Sequence, residues 1–226
     1  MIPIHKLRTW ERDLRIREAT GFASEAERAS ARSFMFWIDH GFLRKTWTNF
    51  EQIAPGAFRS NQPDLPRLKK WKAMGIETVL TLRGGISAAP VLLEREACAE
   101  LGMRLYQIGL ASRFAPPRDS LLELIALFDT IERPFAMHCK SGADRAGLAS
   151  AIYLITQEGQ SVEQARRMLS FRYLHVKASR TGILDRFLDV YEARNRDRPI
   201  GLADWIATEY DPEAMQAEFD VERGRR

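Results

Sequence analysis

The stretch Phe135-Ala136-Met137-His138-Cys139-Lys140-Ser141-Gly142-Ala143-Asp144-Arg145-Ala146-Gly147 joins two different patterns. Phe135 to Met137 is a short apolar run, which predicts a buried strand. Ala146 to Gln157 is rich in small and apolar residues, which predicts a buried helix. The residues between must then form a tight strand-to-helix loop. At such a junction backbone N–H groups converge and the helix contributes about half a positive charge, so an anion such as phosphate is favoured there. The same field favours a thiolate, giving Cys139 a reason to act as a nucleophile. Arg145 offers a planar fork of donors that grips two oxygens of a phosphoryl group, and Gly142 lets the backbone close around the anion.

Outward from this loop the chain alternates strands and helices. Pro55 to Pro63 predicts a short strand closed by turn residues, Asp64 to Met74 a helix stopped by Gly75, and Ile76 to Leu82 a buried strand. Pro90 to Leu101 reads as a helix and Met103 to Ile108 as a strand. After a loop over 109–119, Ser120 with Glu123 predicts a capping box for a helix running to Ile131. Ser161 with Gln164 predicts another, for a helix to about Phe171. Ile183, Leu184, Phe187, Leu188 and Tyr191 share one helical face. This order predicts an α/β fold with a mainly parallel central sheet flanked by helices on both faces, ligands binding beyond the carboxyl ends of the strands.

The His138-Cys139-x5-Arg145 signature, with Gly142 and the Arg-x-Gly ending, resembles the cysteine-dependent protein tyrosine phosphatases, in particular their compact dual-specificity branch. Phe58-Arg59-Ser60-Asn61-Gln62-Pro63 resembles the Tyr/Phe-Arg-Ser-x-x-Pro opening of its bacterial and fungal members. The resemblance covers residues 53–195. It implies a hydrolase of phosphate monoesters that needs no metal or cofactor and works through a phosphocysteine on Cys139. The implied phosphate-binding residues are Lys140, Ser141, Gly142, Ala143, Asp144 and Arg145, with His138 orienting the loop from a buried position.

Two departures stand out. Ala146 occupies the place where the family usually carries Ser or Thr, which implies slow breakdown of the phosphoenzyme. The family's acid aspartate lies on a loop some way before the cysteine, yet Tyr106 to Arg113 contains no Asp or Glu. Asp144 is therefore the expected general acid, as in myotubularin-type phosphatases, with Asp119 as the rival. A weakly active, phosphate-binding pseudophosphatase is an alternative, as is a lipid or inositol phosphate phosphatase at a membrane surface.

The remaining expectations come from composition. The chain has 226 residues, a formal net charge of +4 and dispersed basic residues, which favours anionic partners without the stripe that nucleic acid requires. Its two cysteines, Cys98 and Cys139, exclude a disulfide framework and point to a reducing, cytoplasmic setting. Cys98 is expected to serve packing, and His175 to lie on a surface loop. Residues 1–52 are expected to form a basic, helical N-terminal extension. Its apolar run Phe34-Met35-Phe36-Trp37-Ile38 would either dock on the domain or make a peripheral membrane contact. Residues 53–195 form the expected catalytic domain, and 196–226 a helical or partly disordered tail.

Overall fold

A computed structural model describes residues 22–84 and 88–224; the N-terminal half of the expected helical extension, residues 1–21, lies outside the described residues. Five strands, β1 (Glu51–Ala54), β2 (Ala57–Asn61), β3 (Thr78–Thr81), β4 (Arg104–Gln107) and β5 (Phe135–Cys139), form one sheet in the order β1-β2-β5-β3-β4. Strands β2, β5, β3 and β4 run parallel, and β1 folds back antiparallel on β2 through a turn at Pro55-Gly56. The expected short strand at 55–63 is thus the second half of a hairpin whose first strand the sequence did not announce.

β5 is central and wholly buried, which is why it reads as an uninterrupted apolar run rather than an alternating one. Side chains of a strand point to opposite faces, and the two cores follow that period. Phe135 and Met137 join Leu80, Leu124, Phe128, Ile152 and Phe187 on one face, while Ala136 joins Val79, Leu68, Trp71 and Met103 on the other.

Around the sheet lie helices α1 (Glu25–Trp37), α2 (Leu65–Ala73), α3 (Ala88–Glu100), α4 (Arg118–Thr130), α5 (Asp144–Thr156), α6 (Val162–Ala165), α7 (Ile183–Asp197), α8 (Leu202–Thr208) and α9 (Pro212–Gly224). The most deeply embedded is α5, where every residue from Ala146 to Leu154 is buried. Its small residues permit that depth: a Cβ on Gly147 would come within 2.6 Å of the Met168 carbonyl oxygen. Asp64 caps α2 by accepting from the Arg67 N–H, and Ser161 with Gln164 forms the expected capping box.

Three local readings need correction. Helix α4 begins at Arg118, with Pro117 at the N-cap and no side-chain cap hydrogen bond, while the Arg118 guanidinium donates to the Tyr210 carbonyl; Ser120 is already inside the helix. The helix from Ser161 stops at Ala165 and tightens into a 3₁₀ turn over Arg166–Met168, the Met168 carbonyl accepting from Arg59. Of the two expectations for the tail, the helical one holds for the described residues. Trp205, Ile206, Tyr210 and Met215 are buried against Phe187, so residues 202–224 extend the core despite their acidic surface.

Helix α1 packs on α3, with Ala31 against Ala89 and Leu92 and an Arg28–Glu96 ion pair at 2.8 Å. No helix among the described residues is long and apolar enough to cross a membrane.

Candidate active site

The register of the parallel strands sets the floor of the site. Asn61 of β2 lies opposite Cys139, and Thr81 of β3 lies opposite His138, so three strands end at one level. From Cys139, buried at the end of β5, the chain crosses Lys140 to Ala143 and enters α5 at Asp144. Gly142 has φ +72°, and a Cβ there would sit 2.7–2.8 Å from backbone atoms of Ser60 and Asn61, so glycine is required both for its conformation and for the close approach.

Outward-facing carbonyls fix the orientation of the loop. Lys140 O accepts from the Gln62 N–H at 3.3 Å and Ser141 O from Asn49 Nδ2 at 3.0 Å. Gly142 O accepts from Arg59 Nη2 at 2.5 Å. In a planar trans peptide the following N–H points the opposite way, so the amides of Ser141 and Gly142 turn toward the inside of the loop, while the Ala143 N–H donates to Ser141 Oγ at 3.4 Å. The result is a cradle of donors at the start of a helix. Arg59, fully buried, also stacks on the Tyr173 ring at 3.6 Å. Burial lowers its pKa to about 10, so it is still cationic at neutral pH. Arg145 follows at the second position of α5, and its Nε is buried without a hydrogen-bond partner among the described residues. Arg59 Nε and Arg186 Nε are buried in the same state.

Two charged clusters brace the loop. The first runs through residues far apart in sequence. Asp39, in the turn after α1, is buried and takes hydrogen bonds from Arg83 at 2.8 and 3.0 Å and from Arg44 at 3.0 Å, with Lys140 Nζ at 3.1 Å. Burial would raise the pKa of this carboxyl; the Arg83 hydrogen bonds, with Arg44 and Lys140, hold it below the ordinary value instead. Arg83 also donates to Gln62, and Gln62 donates to Glu94, whose Oε1 lies 2.6 Å from His138 Nε2, though out of line for a hydrogen bond. His138 is fully buried beside this carboxylate.

The second cluster involves Asp144. Its Oδ1 is 2.7 Å from Nδ1 of His175, and Nε2 of the same ring is 2.7 Å from Oδ2 of Asp185 in α7. His175 is buried, which corrects the expectation of a surface loop. Burial alone would lower the pKa of the imidazole, but the two carboxylates overcome it and hold the pKa up to about 9.

Among the sequence-predicted residues, Cys139, Lys140, Ser141, Gly142, Ala143, Asp144 and Arg145 therefore form one loop. Asp119 does not join them. It is exposed in the first turn of α4 and lines a cleft with Phe114, Asp211 and Gln216, to which no residue of the 139–145 loop contributes. Cys98 is a packing residue in α3, where burial, with Glu94 adding to it, pushes its thiol up to about 12. The sequence reading missed Asp39, Asn49, Glu94 and the pairing of His175. Of the braces it could have found only Arg59, which stands in the Phe-Arg-Ser phrase.

The fold is the α/β architecture of solved phosphatase structures. No protein-family model matches the sequence, and no curated protein does; the likeness is to solved structures. TpbA of P. aeruginosa is 16% identical with a TM-score of 0.51, the match covering 76% of this chain and 91% of that one. A putative phosphatase (DUF442) from Shewanella putrefaciens is 16% identical, TM-score 0.53, over 66% of this chain and 96% of its own. Tk-PTP in its active form is 18% identical, TM-score 0.51, over 66% and 99%.

Proposed function

We propose that this chain is a metal-free phosphatase that hydrolyses phosphate monoesters through a phosphocysteine on Cys139. The observation that carries the reading is the donor cradle. The carbonyls of Lys140, Ser141 and Gly142 are held outward by Gln62, Asn49 and Arg59, which leaves the Ser141 and Gly142 amides to line the loop between Cys139 at the end of β5 and Arg145 in the first turn of α5. Such donors bind a phosphate dianion in the ground state and stabilise the charge on its equatorial oxygens during transfer. Cys139 attacks phosphorus, the leaving oxygen takes a proton, and water then releases phosphate from sulfur. Asp144 is the acid we assign, since it adjoins Arg145 and no carboxylate lies in the Tyr106 to Arg113 segment. A form of TpbA was solved in complex with pTyr, which supports phosphotyrosine as the first substrate to try.

The test is hydrolysis of an aryl phosphate. Turnover is expected to be blocked by vanadate, unaffected by EDTA and absent in Cys139→Ser. Activity that EDTA abolishes and a divalent ion restores would falsify the mechanism.

One observation favours a second reading, in which the substrate is carried by a lipid surface. Trp37, 63% exposed, stands with Ile38, Phe42 and Leu43 beside Asp39, the residue that grips Lys140 of the loop. Lys45 lies over the Phe36 ring at 5.0 Å. Exposed aromatics with basic neighbours suit an anionic bilayer. The full chain would then sediment with anionic vesicles and release as salt is added; no sedimentation at low salt retires this reading.

A further inference from the structure

A histidine buried between two carboxylates is a costly arrangement. Desolvating three ionisable groups consumes most of what their attraction returns, and apolar residues of similar volume commonly do as well for stability. Such clusters concentrate where chemistry needs them, and this one ends on the residue next to Arg145. The side chains facing the imidazole are Asp144 from α5 and Asp185 from α7. Lys177, two residues on, is exposed and paired with Asp189. Asp144 Oδ1 is held by His175, while Oδ2 makes no hydrogen bond among the described residues on a side chain that is 23% exposed.

We propose that His175 supplies, through Asp144, the proton taken by the leaving oxygen, an inference that rests on the phosphatase reading above. His175 Nδ1 first passes its proton to Asp144, leaving a neutral imidazole hydrogen-bonded to Asp185; as Cys139 sulfur bonds to phosphorus and the P–O bond breaks, Asp144, now a carboxylic acid, gives that proton to the leaving oxygen. In the second half, water attacks phosphorus, the S–P electron pair returns to Cys139 and the proton from water passes back through Asp144 to His175. The imidazolium of His175 persists to about pH 9, well above the range in which a lone carboxyl would hold a proton. That retention substitutes for the acid absent from 106–113. His175 is a positioning and proton-supplying residue, since it reaches the substrate only through Asp144.

The test compares kcat/KM, which reports the half-reaction that expels the leaving group, for phenyl phosphate and for 4-nitrophenyl phosphate. His175→Gln keeps a hydrogen bond to Asp144 but carries no mobile proton. It is expected to lose about 10²–10⁴-fold on phenyl phosphate and far less on the nitrophenyl ester, whose leaving group needs little protonation. Asp185→Asn removes one carboxylate from the imidazolium and should move the alkaline fall-off of kcat/KM on phenyl phosphate to lower pH; it gives an independent test if His175→Gln does not fold. Equal losses of His175→Gln on both esters, or an alkaline limb unmoved in Asp185→Asn, would overturn the relay and leave the triad as a brace. Cys139→Ser separates the two levels: if it hydrolyses either ester as the unaltered chain does, the phosphatase reading fails and the relay with it.

Discussion

Arg145→Lys lowers kcat/KM for an aryl phosphate by about 10²–10³-fold, the loss typical of removing one preorganised donor from a site of developing charge. The expectation follows from where Arg145 stands. Lodged in the first turn of α5, it has a buried Nε with no acceptor among the described residues. The planar guanidinium presents two parallel N–H groups to a phosphoryl oxygen pair, and an ammonium on a flexible stem cannot reproduce that fork. Charge is conserved in the exchange, so a large loss isolates geometry from electrostatics. A loss below tenfold would mean that Arg145 serves only as a distant cation, and the cradle described above would not be the binding site.

Asp39→Ala is the second large effect, and it falls on stability. Removing the carboxylate leaves Arg44 and Arg83, both buried, without their counter-charge, and breaking such a pair from one side costs about 3–5 kcal/mol. Lys140, 39% exposed, can turn to water. Lys140→Met should therefore cost about 1 kcal/mol or less. Urea unfolding of the full chain measures both. Equal, small losses would show that the turn after α1 does not dock on the catalytic loop as described.

These two predictions also mark what the sequence could and could not reveal. The Phe135–Gly147 stretch was legible because its determinants are local. An apolar run makes the strand, small residues let α5 sink into the core, and Cys139, Gly142 and Arg145 stand at fixed spacing in one short stretch. The parallel sheet followed from the alternation of strands and helices. The Ser161–Gln164 box was legible for the same reason, while the Ser120–Glu123 pair misled: the helix begins earlier, at Arg118, whose guanidinium donates to the Tyr210 carbonyl, 92 residues away. Asp39 meets Lys140 only in the fold, the two being far apart in sequence, and the buried His175 finds its carboxylate partners on α5 and α7. Flanked by Leu174 and Val176, both exposed, the histidine carries no local sign of that burial. The apolar residues Trp205, Tyr210 and Met215 did signal a docked helix, but the acidic residues around them masked it.

The claim on which everything else depends is that phosphate passes through Cys139. The resemblance of the loop to the cysteine-dependent phosphatases implies a hydroxyl at position 146 that helps expel the thiolate; Ala146 lacks it, so on the proposed reading the covalent intermediate should linger. Intact-protein mass spectrometry after rapid quenching of the full chain with an aryl phosphate measures this directly. The account predicts one added phosphoryl group, localised to Cys139 and absent in Cys139→Ser. Steady hydrolysis with no phosphoryl group on Cys139 at any quench time, and with Cys139→Ser still active, would contradict it.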